Sequence, residues 1–186
     1  MPTYRGTPAT AASDVTGLDL AGRSVAVGVV SVPHWTLLLF LSSSCDGCQD
    51  IWRALASEGW PRVLATPSEG PAAGATPAAG ATPATGVPAP AVRTVVVTRG
   101  PEGEDVDELV RLASPGLAVV MSDESYAAYG VHGAPFFVAV DGAASRVATE
   151  GVAWAADQVA AELARAFAGE GPVVPRLVAG PAPVEP

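Results

Sequence analysis

Apolar positions along the chain come in short clusters, and their spacing alternates between strand-like and helix-like. Ser24-Val-Ala-Val-Gly-Val-Val30 reads as a strand. Thr36-Leu-Leu-Leu-Phe-Leu41 is a continuous apolar run, as expected for a strand covered on both faces. From Asp46 to Glu58 the pattern turns helical through Ile51, Ala54 and Leu55, and Gly59 and Pro61 end it. Val92 to Val97 is a β-branched strand. Glu102 to Ala113 is a helix, with Val106, Leu109, Val110 and Ala113 on one face and an acidic start that suits the helix dipole. Leu117 to Met121 is a further strand, and Asp123 is expected to cap a short helix through Tyr129. Phe136 to Val140 and Arg146 to Val152 form a hairpin around Asp141-Gly142, and a last helix spans Ala155 to Ala168. Strands alternating with helices predict an α/β fold with a mixed, mostly parallel sheet and helices on both faces.

The alternation fails in three places. Residues 1–17 show little periodicity and read as a flexible lead-in. Between 66 and 91, Ala-Gly-Ala-Thr-Pro-Ala occurs at 73–78 and again at 79–84, with prolines at 67, 71, 77, 83, 88 and 90. Those prolines forbid both a helix and a central strand, so the segment is expected to be a disordered insertion; a proline-rich docking motif is the other reading. Residues 169–186 hold five prolines and read as a loose tail. The folded unit is then 18–168, one domain for a chain of 186 residues.

Charge narrows the function. Ten basic residues, all arginine, face nineteen acidic ones, for a net charge of −9. That balance lacks the clustered positive charge that nucleic acids and anionic membranes require. Ser24 to Ser44 is 21 residues without a formal charge, long enough to suggest a membrane span. Pro33 and His34 split it into two strand-length runs, and Asp14 and Asp19 precede it where a secretory leader would be basic. The expected location is cytoplasmic. The alternative is membrane association through a partner or through the 24–44 stretch.

The chemistry lies in the cysteines. There are two, Cys45 and Cys48, which excludes a disulfide-rich scaffold and an all-cysteine zinc site. Cys45-Asp46-Gly47-Cys48 follows an apolar strand through Ser42-Ser43-Ser44 and opens a helix. A helix mouth directs unpaired N–H groups at the Cys45 sulfur, which favours its thiolate. Positions i and i+3 lie on one helical turn, within reach of a disulfide. The corner exposes Cys45 and sets Cys48 one turn inside, so Cys45 is the attacking thiolate and Cys48 the resolving thiol. A structural disulfide gains little from so short a loop. A metal site would have to recruit both His34 and His132, at a spacing that fits no zinc-finger pattern; no metal is expected. No phosphate-binding glycine loop follows a strand, and no cofactor is expected.

With these motifs the sequence resembles the thioredoxin-like family, in particular the branch of TlpA- and MauD-like disulfide reductases. The resemblance covers about 18–168 outside the insertion. It is carried by Leu18-Asp-Leu-Ala-Gly-Arg23, by Leu37 through Cys48, and by Tyr129-Gly-Val-His-Gly-Ala-Pro-Phe-Phe-Val-Ala-Val-Asp141. It implies a cis Ala134–Pro135 bond beside the cysteines, with the backbone at Ala134 and Pro135 binding the substrate chain during a mixed disulfide. Two departures stand out. Thioredoxin has Trp-Cys-Gly-Pro-Cys-Lys where this chain has Ser44-Cys-Asp-Gly-Cys-Gln49, and Leu39 stands where thioredoxin has a buried aspartate. Asp46 tunes the pair by repelling a Cys45 thiolate by roughly 0.7 kcal/mol through water, so the couple is expected to favour reducing its substrates. His132, three before Pro135, is the candidate proton shuttle in place of the absent aspartate, against the plainer reading of a loop histidine. Trp60 and Trp154 are expected to pack at element ends.

The expected function is a thiol–disulfide oxidoreductase reducing protein disulfides. Its substrate would be a disulfide-containing protein or a small thiol compound, and a partner reductase or a membrane redox partner would recycle it. The alternative is a thioredoxin-like adaptor with weak or no turnover. A thiol peroxidase is disfavoured, because Ser42 to Ser44 supply none of the Pro, Thr and Arg pattern of that class.

Overall fold

The structure, a computed structural model, describes residues 11–57, 60 and 90–169. The helix stop expected at Gly59 and Pro61, most of the lead-in and tail, and the insertion up to residue 89 lie outside the described residues. Among the described residues seven strands form one sheet: β1 (Val15–Leu18), β2 (Ser24–Val27), β3 (Trp35–Phe40), β4 (Val92–Thr98), β5 (Ala118–Met121), β6 (Phe136–Asp141) and β7 (Arg146–Val152). Among the described residues these helices accompany them: α1 (Gln49–Ala56), α2 (Val106–Leu112), α3 (Asp123–Ala128) and α4 (Ala156–Phe167). The strand order is β2-β1-β5-β4-β3-β6-β7.

The sheet is mixed, as expected, but antiparallel pairings outnumber parallel ones. Only β3–β4 and β4–β5 run parallel, while β1–β2, β1–β5, β3–β6 and β6–β7 run antiparallel. The expected terminal hairpin supplies one antiparallel end; a second hairpin, β1–β2, supplies the other. Residues 11–17, assigned from sequence to the lead-in, are therefore partly in the sheet. β1 escapes a sequence reading because it is four residues long and carries Gly17. The glycine is required by close approach: a Cβ at Gly17 would stand 2.9 Å from Val120 Cγ1 and closer still to the Met121 carbonyl oxygen.

The continuous apolar run of β3 is explained by its two covered faces. Successive side chains of a strand point to opposite sides. Leu37 and Leu39 join Cys48, Ile51, Trp52, Leu109, Phe137 and Leu163 under α1, α2 and α4. Leu38 and Phe40 join Val95, Val97, Tyr126 and Tyr129 on the side of α3. Each such side chain contributes about 1.5–3 kcal/mol by burial, so a charge anywhere in the run would undo the centre of the sheet. The stretch read as a conceivable membrane span is thus β2 and β3. Among the described residues no helix is long and apolar enough to cross a membrane.

Helix starts differ in detail from the sequence expectation. The first helical element opens as a single 3-10 turn, Asp46–Cys48, before α1. α2 starts at Val106, because Asp105 caps it by accepting the Glu108 N–H at 2.9 Å; Glu102 and Glu104 precede it. α3 is capped by Ser122, not Asp123: its hydroxyl accepts the Ser125 N–H at 3.0 Å.

Candidate redox site

The site forms where β3 ends. Leu41 donates its N–H to the Val97 carbonyl at 3.0 Å, and the Tyr126 hydroxyl donates to the Leu41 carbonyl at 3.0 Å. Burial, and next the nearby Glu104 charge, hold the Tyr126 phenol well above its ordinary pKa, so it remains a donor. The Ser42 carbonyl accepts the Trp52 indole N–H at 3.3 Å. The chain therefore leaves the sheet with its polar groups tied to the backbone of β4 and to side chains of α3 and α1.

Cys45 follows with extended backbone and caps the 3-10 turn; the Cys48 N–H donates to its carbonyl at 3.0 Å. The two cysteines form a disulfide, with Cα atoms 5.2 Å apart. Their surroundings differ sharply. Cys45 is half-buried, Asp46 and Gly47 are exposed, and Cys48 has 0 % exposure within the core below α1. One sulfur is open to attack from outside and the other is reached only through it.

The Ala134–Pro135 bond is cis. Pro135 lies against the turn that holds the cysteines: a Cβ on Gly47 would sit 3.5 Å from Pro135 Cδ. From the other side the Ala153 N–H donates to the Pro135 carbonyl at 3.2 Å, which fixes the loop to the end of β7. Beyond the proline lies a mainly apolar cavity of about 330 Å³, lined by Val131, His132, Ala134, Pro135, Phe136 and Val152. His132 is exposed on its rim. Leu39 is fully buried in the same cluster as Cys48, so the region beneath the inner sulfur is apolar.

Most of the sequence-predicted site comes together: Cys45, Asp46, Cys48, Ala134, Pro135 and His132 share one edge of the sheet. His34 does not. It precedes β3 whereas Cys45 lies past its end, a strand of six residues or about 20 Å away, so a metal site uniting His34 with the cysteines is ruled out. Trp60 packs as expected and donates its indole N–H to Thr94 Oγ1 at 3.3 Å. Trp154 does not: it is 72 % exposed, one residue beyond the Ala153 that holds Pro135. Glu104 also escaped the sequence reading, which saw only an acidic helix start. Its carboxylate accepts from Ser42 Oγ at 3.1 Å and from the Ser43 N–H and Oγ at 2.7 and 2.6 Å.

A disulfide at the junction of a central strand and a helix, facing a cis-proline loop, defines the class: the chain has the thioredoxin-like fold. Comparison with solved structures agrees. The chain is similar to a secreted disulfide oxidoreductase of Mycobacterium tuberculosis homologous to Escherichia coli DsbE, at 18% identity and TM-score 0.52, over 81% of this chain and 94% of that one. It is similar to a putative thiol:disulfide interchange protein DsbE of Chlorobium tepidum, at 12% identity and TM-score 0.55, over 89% and 99% of the two chains. A hypothetical protein of Sinorhizobium meliloti 1021 superposes with TM-score 0.60 at 15% identity, over 91% and 88%. No protein-family model matches the sequence, and no curated protein matches it.

Proposed function

We propose that this protein is a thiol–disulfide oxidoreductase that reduces protein disulfides, in the manner of the TlpA- and MauD-like reductases. The observation that carries the reading is the unequal pair: a half-exposed Cys45 and a buried Cys48 joined beside a cis-proline. In the reduced protein, the Cys45 thiolate attacks one sulfur of a substrate disulfide. The substrate S–S bond breaks, a Cys45–substrate bond forms, and the first substrate thiolate leaves and takes up a proton. The Cys48 thiolate then attacks the Cys45 sulfur and expels the second substrate thiolate. Two electrons pass to the substrate, and the protein is left with the Cys45–Cys48 disulfide seen in the structure. A dithiol reductase or a membrane thiol carrier must return those electrons.

The backbone at Ala134 and Pro135 is the docking edge for the substrate chain, and the cavity beyond it takes an apolar side chain next to the substrate cysteine. Trp154, 72 % exposed and two residues beyond Val152 of the cavity wall, is the candidate to extend this apolar surface. Such a surface suits a polypeptide better than a small thiol. His132 serves as the proton shuttle from the cavity rim, and Asp46 keeps the Cys45 thiolate from becoming too stable. Leu39 favours the second reading, an adaptor with little turnover, because an apolar side chain that cannot take a proton shares the core cluster with Cys48. Reduction of insulin disulfides by the wild type and by Cys45→Ser separates the two. The oxidoreductase reading expects turnover only in the wild type; equal rates would leave the adaptor. Cys48→Ser is expected to accumulate the mixed disulfide and so to capture the substrate.

A further inference from the structure

The triple serine ahead of Cys45 is held by one carboxylate. Oε2 of Glu104 receives the Ser42 hydroxyl at 3.1 Å, the Ser43 N–H at 2.7 Å and the Ser43 hydroxyl at 2.6 Å. Its other oxygen faces the Arg99 N–H at 3.4 Å. Ser43 in turn accepts the Asp105 N–H at 3.1 Å, and the Ser44 N–H donates to Ser42 Oγ at 3.3 Å. The loop leading to α2 and the loop leading to Cys45 are thereby joined through a single carboxylate. Charge-assisted hydrogen bonds of this kind are about twice as strong as neutral ones. The Arg99 guanidinium is engaged elsewhere: it lies 4.1 Å over the Tyr126 ring and pairs with Asp123 at 3.3 Å.

We propose that Glu104 is a positioning residue for the redox pair: through Ser43 it fixes the chain on which Cys45 is mounted, and its charge, held two residues away, biases the couple toward the disulfide. The inference rests on the redox reading of Cys45 and Cys48. Its physical content has two parts. During exchange the Cys45 sulfur turns between substrate and Cys48 while its backbone must stay in place, and the three bonds to Glu104 supply that constraint. A fixed negative charge near Cys45 also disfavours its thiolate, in the same sense as Asp46. A couple whose reduced, thiolate form is disfavoured is the stronger reductant.

Glu104→Gln and Glu104→Ala separate the two parts. The glutamine retains a carbonyl oxygen for Ser42 and Ser43 but carries no charge, and alanine removes both. Three readouts are compared in the full chain: the pH midpoint of iodoacetamide reaction at reduced Cys45, the redox equilibrium with glutathione, and thermal stability. Glu104→Gln is expected to move the alkylation midpoint down by about half a pH unit and to make the couple more oxidising. Glu104→Ala is expected to show the same shift, together with at least a tenfold loss of insulin-reductase kcat. Unchanged midpoint and redox equilibrium in both variants, with activity lost only in proportion to stability, would reduce Glu104 to an ordinary fold contact and overturn the proposal. A wild type that fails to reduce insulin would instead remove the redox reading, while the alkylation midpoints would still decide the role of Glu104.

Discussion

The unequal burial of the two sulfurs makes a quantitative prediction about thiol reactivity. Once the disulfide is reduced, iodoacetamide meets Cys45 directly, since that residue is half-exposed at the turn. To reach Cys48 the first turn of α1 must lift, because Cys48, Ile51 and Trp52 are all buried at the same site. Exposing the two large side chains costs about 1.5–3 kcal/mol each, or about 3–6 kcal/mol together. At about 1.4 kcal/mol per tenfold, Cys48 should react about 10²- to 10⁴-fold more slowly. Burial also disfavours the Cys48 thiolate, which acts in the same direction. The rates are best measured on the single-cysteine variants, Cys48→Ser and Cys45→Ser, at neutral pH after complete reduction. In the wild type the two sites must be resolved by fragmentation, because the chain has no lysine and trypsin releases both cysteines in the one peptide Ser24–Arg53. Rates within tenfold of each other would refute the division into an outer attacking and an inner resolving sulfur.

Trp154→Ala should leave the melting temperature nearly unchanged, because the side chain is largely exposed, yet raise KM for insulin several-fold with kcat preserved. An unaltered KM would remove Trp154 from the docking surface. Asp14 gives a pH prediction. Its carboxylate accepts the Val29 and Val30 N–H groups at 2.7 and 3.1 Å, and those bonds, Val29 first, lower its pKa. A depressed folded-state value means the contribution to stability is present above the ordinary carboxylate range and is lost as pH falls through the folded value. Asp14→Ala should therefore melt at a lower temperature than wild type at neutral pH, with the gap closing in acid. A gap independent of pH would show that the carboxylate charge plays no part.

Much of this architecture is legible in the sequence, for reasons visible in the structure. The cysteine corner could be read because an unbroken apolar strand running into Cys45-Asp-Gly-Cys48 leaves few other geometries, and Pro135 before another apolar strand marks a bond at which cis is accessible. What stayed hidden depends on contacts between distant segments. Gly17 reads as an interruption; only the approach of Met121 from β5 shows it to be a requirement of the strand pairing. Ser42 to Ser44 read only as the link from an apolar strand to Cys45, and Glu104 as dipole charge, because their partnership spans about sixty residues and carries no periodicity. Trp154 reads as a packing residue because a lone tryptophan near a helix start gives no sign of which side faces solvent. Hydrophobic pattern encodes what is buried against the sheet; it does not encode which polar groups meet at the sheet's edge.

The parallel pairing of β3 with β4 has a consequence for how this chain tolerates change. Both strands begin at the same pole, where the Trp35 N–H donates to the Ala91 carbonyl at 3.0 Å, and both run toward the cysteines. The connection between them must return to that starting pole, and its described ends, Trp60 and Pro90, bracket the repeat-bearing stretch. The junction at Ala91 is about a strand's length from Cys45. Lengthening such a connection costs only slowly rising closure entropy. Added or deleted repeats, an affinity tag or a fluorophore placed at this seam are therefore expected to leave the cysteine-bearing edge unchanged.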